Sequence, residues 1–181
     1  MLSSLLTRRD VAVRLLYAVP AFALAAEGQT TKSEASGNNG LSHNCECIHQ
    51  EVRIEASRDR VYRALTDTKQ FAKITELGYH AVATEISPEV GGAFSLFGGI
   101  IVGRHIEMLP GERLVQAWRE KTWVPGAYSI VSFQLEEAGS GTKVIFDHRG
   151  FPQGNGEHLA VGWQSHYWQP LQKYLALGAP E

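Results

Sequence analysis

The side chains of this 181-residue chain that could do chemistry fall into three groups. The first is His43, Cys45, Cys47 and His49, which share one parity of an extended segment, opposite Ile48, Val52 and Ile54. Two thiolates and two imidazoles on one side are zinc- or copper-binding chemistry. Neighbouring sites on that side lie only about 6.6 Å apart along a straight strand, so a shared ion would need the chain to bend. The gap between the cysteines is also shorter than in structural zinc sites. Exposed thiols or a mutual oxidised pair fit better, and no metal site is assigned.

The second group centres on His148, which shares parity with Val144 and Phe146 and is expected to point inward. With Arg104, Tyr128 and His166 it would give an apolar cavity a polar handle, and a neutral imidazole there suits proton abstraction near pH 7. A histidine satisfied by one backbone carbonyl is the plainer expectation. No Ser-His-Asp order and no His-Glu-x-x-His run is present, so no catalytic residue is assigned. The pairs Gly91-Gly92 and Gly98-Gly99 match neither a phosphate loop nor a dinucleotide fingerprint, and no cofactor is implied. The third group is aromatic: Trp118, Trp163, Tyr167, Trp168, Phe94, Phe133 and Phe146. Most of these read as core. The pocket-forming set is nevertheless drawn from them, with His148 added: Trp163, Tyr167, His148, Phe146, Phe133, Trp118 and Phe94. Trp163 leads it, because its helical face must overlie the widest part of a sheet.

Periodicity supplies the elements that must position these groups. Ile48, Gln50, Val52, Ile54 and Ala56 alternate with polar residues, which marks a strand. Ser57 is a suitable N-cap for a helix carrying Val61, Ala64 and Leu65, and Asp67-Thr68 separates it from a second short helix with Phe71 and Ile74. Residues 93–97, 100–108, 113–121, 128–136 and 142–149 are rich in β-branched or aromatic residues and are separated by glycine-bearing turns, which predicts an antiparallel meander. Leu159, Trp163, Tyr167, Leu171 and Leu175 recur every four residues and predict a long C-terminal helix, kinked at Pro170. The arrangement is α+β: a curved antiparallel sheet of about six strands, two short helices, and a long helix against the concave face. A straight helix and a curved sheet cannot touch along their whole length, so a cavity is expected between them.

Residues 1–26 combine Arg8, Arg9 and Arg14, an apolar run, and Ala23-Leu24-Ala25, the three parts of a twin-arginine-like export signal. Residues 27–44 carry almost no apolar side chains and are expected to be a disordered linker, leaving 45–178 as the folded domain. The expected location is periplasmic or extracellular, or cytoplasmic if the signal is not used. Formal net charge is −2 with no stripe of Lys and Arg, which excludes nucleic acid as a partner. No membrane span is expected in the mature chain.

ASRDRVYRALTD (56–67) resembles the first-helix motif of the START-like SRPBCC superfamily. GGAFSLFGG (91–99), Gly103-Arg104, Ala117-Trp118-Arg119, RGFP (149–152), Gly162-Trp163-Gln164 and Tyr167-Trp168 narrow the resemblance. Together they resemble the C-terminal domain of the activator of the ninety-kilodalton heat-shock ATPase and its bacterial relatives, over about residues 48–177. The resemblance implies a helix-grip (START/Bet v 1-like) fold, in a superfamily that spans co-chaperone domains, lipid carriers and polyketide cyclases. The leading expectation is non-enzymatic binding of a hydrophobic small molecule in the sheet–helix cavity. The alternatives are a protein-partner module like the chaperone activator, and a cyclase-like acid–base enzyme.

Overall fold

The computed structural model describes residues 46–178. The expected export signal and linker, with His43 and Cys45, lie outside the described residues. Strand β1 (Cys47–Ile54) turns its exposed parity outward, and there His49 Nδ1 meets Asp147 Oδ1 at 3.1 Å. Helix α1 (Arg58–Thr66) starts where the Ser57 side chain accepts the Arg60 N–H. Asp67 ends α1 and at once caps α2 (Thr68–Gly78), its carboxylate accepting the Gln70 N–H at 2.9 Å. One residue therefore both separates and starts the two helices.

Strands β3 (Ala93–Leu96), β4 (Ile101–Leu109), β5 (Arg113–Glu120), β6 (Ser129–Ala138) and β7 (Gly141–Arg149) form the expected antiparallel meander, and β1 pairs with β7. The sheet is curved and has seven strands rather than about six. The addition is β2 (Glu85–Ile86), which pairs with β3 at one edge. Two residues are too few to display an alternation. Their place is fixed by Thr68, whose hydroxyl donates to the Ile86 carbonyl and accepts the Ile86 N–H, each at 3.1 Å.

The C-terminal helix runs as three consecutive pieces: α3 (Gly156–Gly162), a π-helical turn (Trp163–Trp168) and α4 (Gln169–Ala176). The departure from α geometry thus lies ahead of Pro170 and not at it. Pro170, at the start of α4, has no N–H to return to the His166 carbonyl, and the preceding turn widens. In an i→i+5 turn residues five apart lie over one another, and the indoles of Trp163 and Trp168 stack at 5.9 Å with both buried. The predicted stripe of Leu159, Trp163, Tyr167, Leu171 and Leu175 is buried throughout. Among the described residues no helix is long and apolar enough to cross a membrane.

Gly103 lies where β4 passes under Phe94, and a Cβ there would collide with the Phe94 ring and the Ala117 carbonyl. Neither can withdraw without disturbing the sheet. Gly103→Ala is therefore expected to cost about 1–3 kcal/mol in urea unfolding; an unchanged midpoint would show that the strand relaxes freely.

Candidate functional site

The C-terminal helix is tied to the sheet by polar bonds inside an aromatic core. Trp163 donates its indole N–H to His148 Nδ1 at 3.0 Å, and His148 Nε2 lies 2.7 Å from Ser129 Oγ. The Ser129 hydroxyl donates to the Trp118 carbonyl at 2.9 Å. With that proton committed, Ser129 Oγ accepts from His148, which fixes the neutral Nε2–H tautomer and leaves Nδ1 free to accept from Trp163. Burial pushes the His148 imidazole down to about 3. A second tie runs from the Trp168 indole N–H to Gln50 Oε1 at 2.6 Å. Gln50 in turn donates to the Ala160 carbonyl at 3.4 Å.

Around this relay the side chains interlock. Trp163 packs on Phe146 at 4.3 Å and on Tyr167 at 4.1 Å between ring centroids. A partly open pocket of about 270 Å³ lies between β5 and the first half of the C-terminal helix. Trp118 and Glu120 of β5 form one wall, and Trp163, His166 and Tyr167 of the helix form the opposite one. Phe97 and Ile101 close the inner end, and Tyr79, Ile100 and Val161 make an exposed apolar rim. Phe97 stands at φ 54°, a left-handed conformation that an aromatic residue takes at a cost, and the positive-φ glycines Gly98 and Gly99 follow it.

Of the residues picked from sequence, Trp118, Trp163 and Tyr167 line this pocket. Phe94, Phe133, Phe146 and His148 do not, being packed in the core. Both ring nitrogens of His148 are engaged within the protein, so it offers no free base to this pocket. The other polar groups grouped with it part company. Arg104 is exposed and bonds the Gly91 carbonyl, Tyr128 sits under the Arg119 guanidinium, and His166 alone reaches the pocket. Sequence reasoning missed Tyr79, Phe97, Glu120 and His158. Glu120 ends a strand and reads as a solvated charge, yet its side chain is only 16% exposed, with His158 Nε2 at 3.8 Å. Among the described residues no cluster of metal-binding side chains is present.

The family described as "Activator of Hsp90 ATPase homolog 1-like protein" matches residues 55–176, about two thirds of the chain. The human activator of 90 kDa heat shock protein ATPase homolog 1 is 26% identical over 123 residues, which cover 68% of this chain and 35% of the human protein. An uncharacterized protein of Schizosaccharomyces pombe is 27% identical over 157 residues, covering 84% of this chain and 45% of its own. The chain thus spans less than half the length of these curated relatives. Among solved structures, an HSP90 activator from Plasmodium falciparum superposes with a TM-score of 0.66 at 22% identity, covering 74% of this chain and 97% of that one. The Aha1 dimer of Colwellia psychrerythraea gives 0.60 at 19% identity, with 75% and 99% covered. At these identities the structures show the shared fold.

The relay has a consequence for pH. His148 titrates near 6.5 when unfolded and near 3 when folded, so between those values the unfolded chain binds the extra proton. Stability present at pH 7 is lost as pH falls through that window, at about 1.4 kcal/mol per unit. His105, also pushed down by burial, acts in the same direction. In urea unfolding, wild type is expected to lose about 2 kcal/mol more than His148→Gln between pH 7 and pH 5. Equal losses in the two proteins would refute a neutral, buried His148.

Proposed function

We propose a binding role for this chain, which belongs to the Activator of Hsp90 ATPase homolog 1-like family: it takes up a hydrophobic small molecule in the pocket between the sheet and the C-terminal helix. The observation that carries this reading is the pocket of about 270 Å³, walled by Trp118, Trp163 and Tyr167, beside a core that is otherwise interlocked. Removing apolar ligand surface from water, worth roughly 25 cal/mol per Å², supplies the affinity. The strained backbone at Phe97 supports the same reading, since conformational cost of this kind collects at functional sites. The engaged nitrogens of His148 weigh against acid–base turnover through that residue.

A second reading is a protein-partner module, taken from relatives named as activators of a 90 kDa heat shock protein ATPase. The observation favouring it is the exposed apolar rim of Tyr79, Ile100 and Val161. Because the chain corresponds to a minor part of those relatives, their whole activity is carried over only as a proposal. The export signal proposed in residues 1–26 would place the domain away from a cytosolic chaperone, and the intact mass of the exported protein, short by about 25 residues, tests it.

Gly162 offers a clean test of the pocket. It lies on the lining with helical φ −60°, and a Cβ there meets open space. Gly162→Phe should fill the pocket without backbone strain, and replacing a helical glycine favours the helix by a few tenths to 1 kcal/mol. Native mass spectrometry of freshly purified wild type is expected to show a co-purifying small-molecule mass that Gly162→Phe lacks. A wild-type chain that is always empty, or the same adduct on both proteins, would contradict the reading.

A further inference from the structure

We infer that the pocket takes a small organic cation, its ammonium beside the Glu120 carboxylate and its apolar body against the aromatic walls; this rests on the small-molecule reading above and names its ligand class. Glu120 shares the parity of Leu114, Gln116 and Trp118, buried residues on the inner side of β5. Its side chain is therefore carried on the concave side of the sheet and stands on the pocket lining, next along that side from Trp118. Arg119 has the opposite parity and is committed elsewhere, donating to the Trp123 carbonyl and lying over the Tyr128 ring. Among the described residues that line the pocket, none is a lysine or an arginine.

Other carboxylates of the domain are placed differently. The glutamates that pair with Lys or Arg, Glu107 and Glu136 among them, have side chains at least 40% exposed. Glu120, at 16%, is far better shielded, and its one ion-pair contact among the described residues is His158 Nε2 at 3.8 Å. That histidine is 71% exposed, lies beyond hydrogen-bond distance and is charged only if protonated. The best shielded of these glutamates thus lacks the permanent cation that the others have. A carboxylate removed from water is costly unless a positive group compensates it. It also repels an anion, which excludes a carboxylate or phosphate as the ligand's head group. Tyr79, Phe97, Trp118, Trp163 and Tyr167 bring their rings to the same lining. Aromatic faces attract an ammonium as well as burying apolar surface. A carboxylate among several rings therefore selects a cation over a neutral molecule of the same shape. A volume of about 270 Å³ limits the body to a small ring or a short branched chain.

The test uses the full chain and two probes of nearly equal shape: phenyltrimethylammonium, and tert-butylbenzene, which has carbon in place of the charged nitrogen. Binding is read from tryptophan fluorescence, since Trp118 and Trp163 line the pocket. The cation is expected to bind about threefold or more tightly than the hydrocarbon. Glu120→Gln, which keeps the shape of the side chain, should weaken the cation about tenfold and leave tert-butylbenzene unchanged. A hydrocarbon bound as tightly as the cation, or a cation whose affinity survives Glu120→Gln, would overturn the charge recognition and leave the pocket a hydrophobic site. Loss of both probes in Glu120→Gln would make Glu120 a part of the pocket's framework and overturn it too. Binding of neither probe to wild type, at concentrations up to their solubility, would overturn the inference together with the small-molecule reading beneath it.

Discussion

The position of the C-terminal helix over the sheet depends on a short relay of hydrogen bonds: Trp163 N–H to His148, His148 N–H to Ser129, and Ser129 O–H to the Trp118 carbonyl. Apolar packing would tolerate small slides of a helix across a sheet, because dispersion and burial are non-directional. A buried polar relay is not so tolerant. Any slide that broke it would leave an imidazole nitrogen or an indole N–H unsatisfied in a low-dielectric core. Gln50, bonded both to the Trp168 indole and to the Ala160 carbonyl, fixes the same helix at a second level. The π-helical turn is what allows Trp163, Tyr167 and Trp168 all to face these partners.

With the helix held there, a pocket is left beside its first half. The central region is filled by Phe133, Phe146, Trp163 and Trp168 in mutual ring contact, which moves the open volume to the neighbourhood of Phe97, Trp118 and Tyr167. The same relay occupies both ring nitrogens of His148, the residue whose inward parity suggested a base. Rigidity in the centre and an unfilled pocket beside it are therefore linked features. Trp163 belongs to both, which makes it a poor probe of binding: its truncation would open a core cavity and strand His148 Nδ1 together.

The sequence made the framework legible because its signals are local. Ser57 and Asp67 announce their helices, the parity of 142–149 turns His148 inward, and the four-residue stripe marks the helix. What escaped was non-local or too short. No local pattern pairs His148 with Trp163 and Ser129, which lie 15 and 19 residues away. Trp168, five residues after Trp163 and off the stripe, was the available sign of a widened turn, but Pro170 drew the expectation of a kink instead. A two-residue strand has no period. Phe97 gave only the indirect sign of two following glycines, and Glu120 gave none, since a charge at a strand end ordinarily faces water.

The central claim is that His148 is a neutral, doubly bonded link between helix and sheet. A long-range ¹H–¹⁵N correlation spectrum of the His148 ring, recorded from pH 7 to pH 4.5, measures this directly. The account predicts a single Nε2–H tautomer, with Nδ1 unprotonated and no titration over that range. A ring that titrates with a midpoint near 6.5, or that carries its proton on Nδ1, would contradict it.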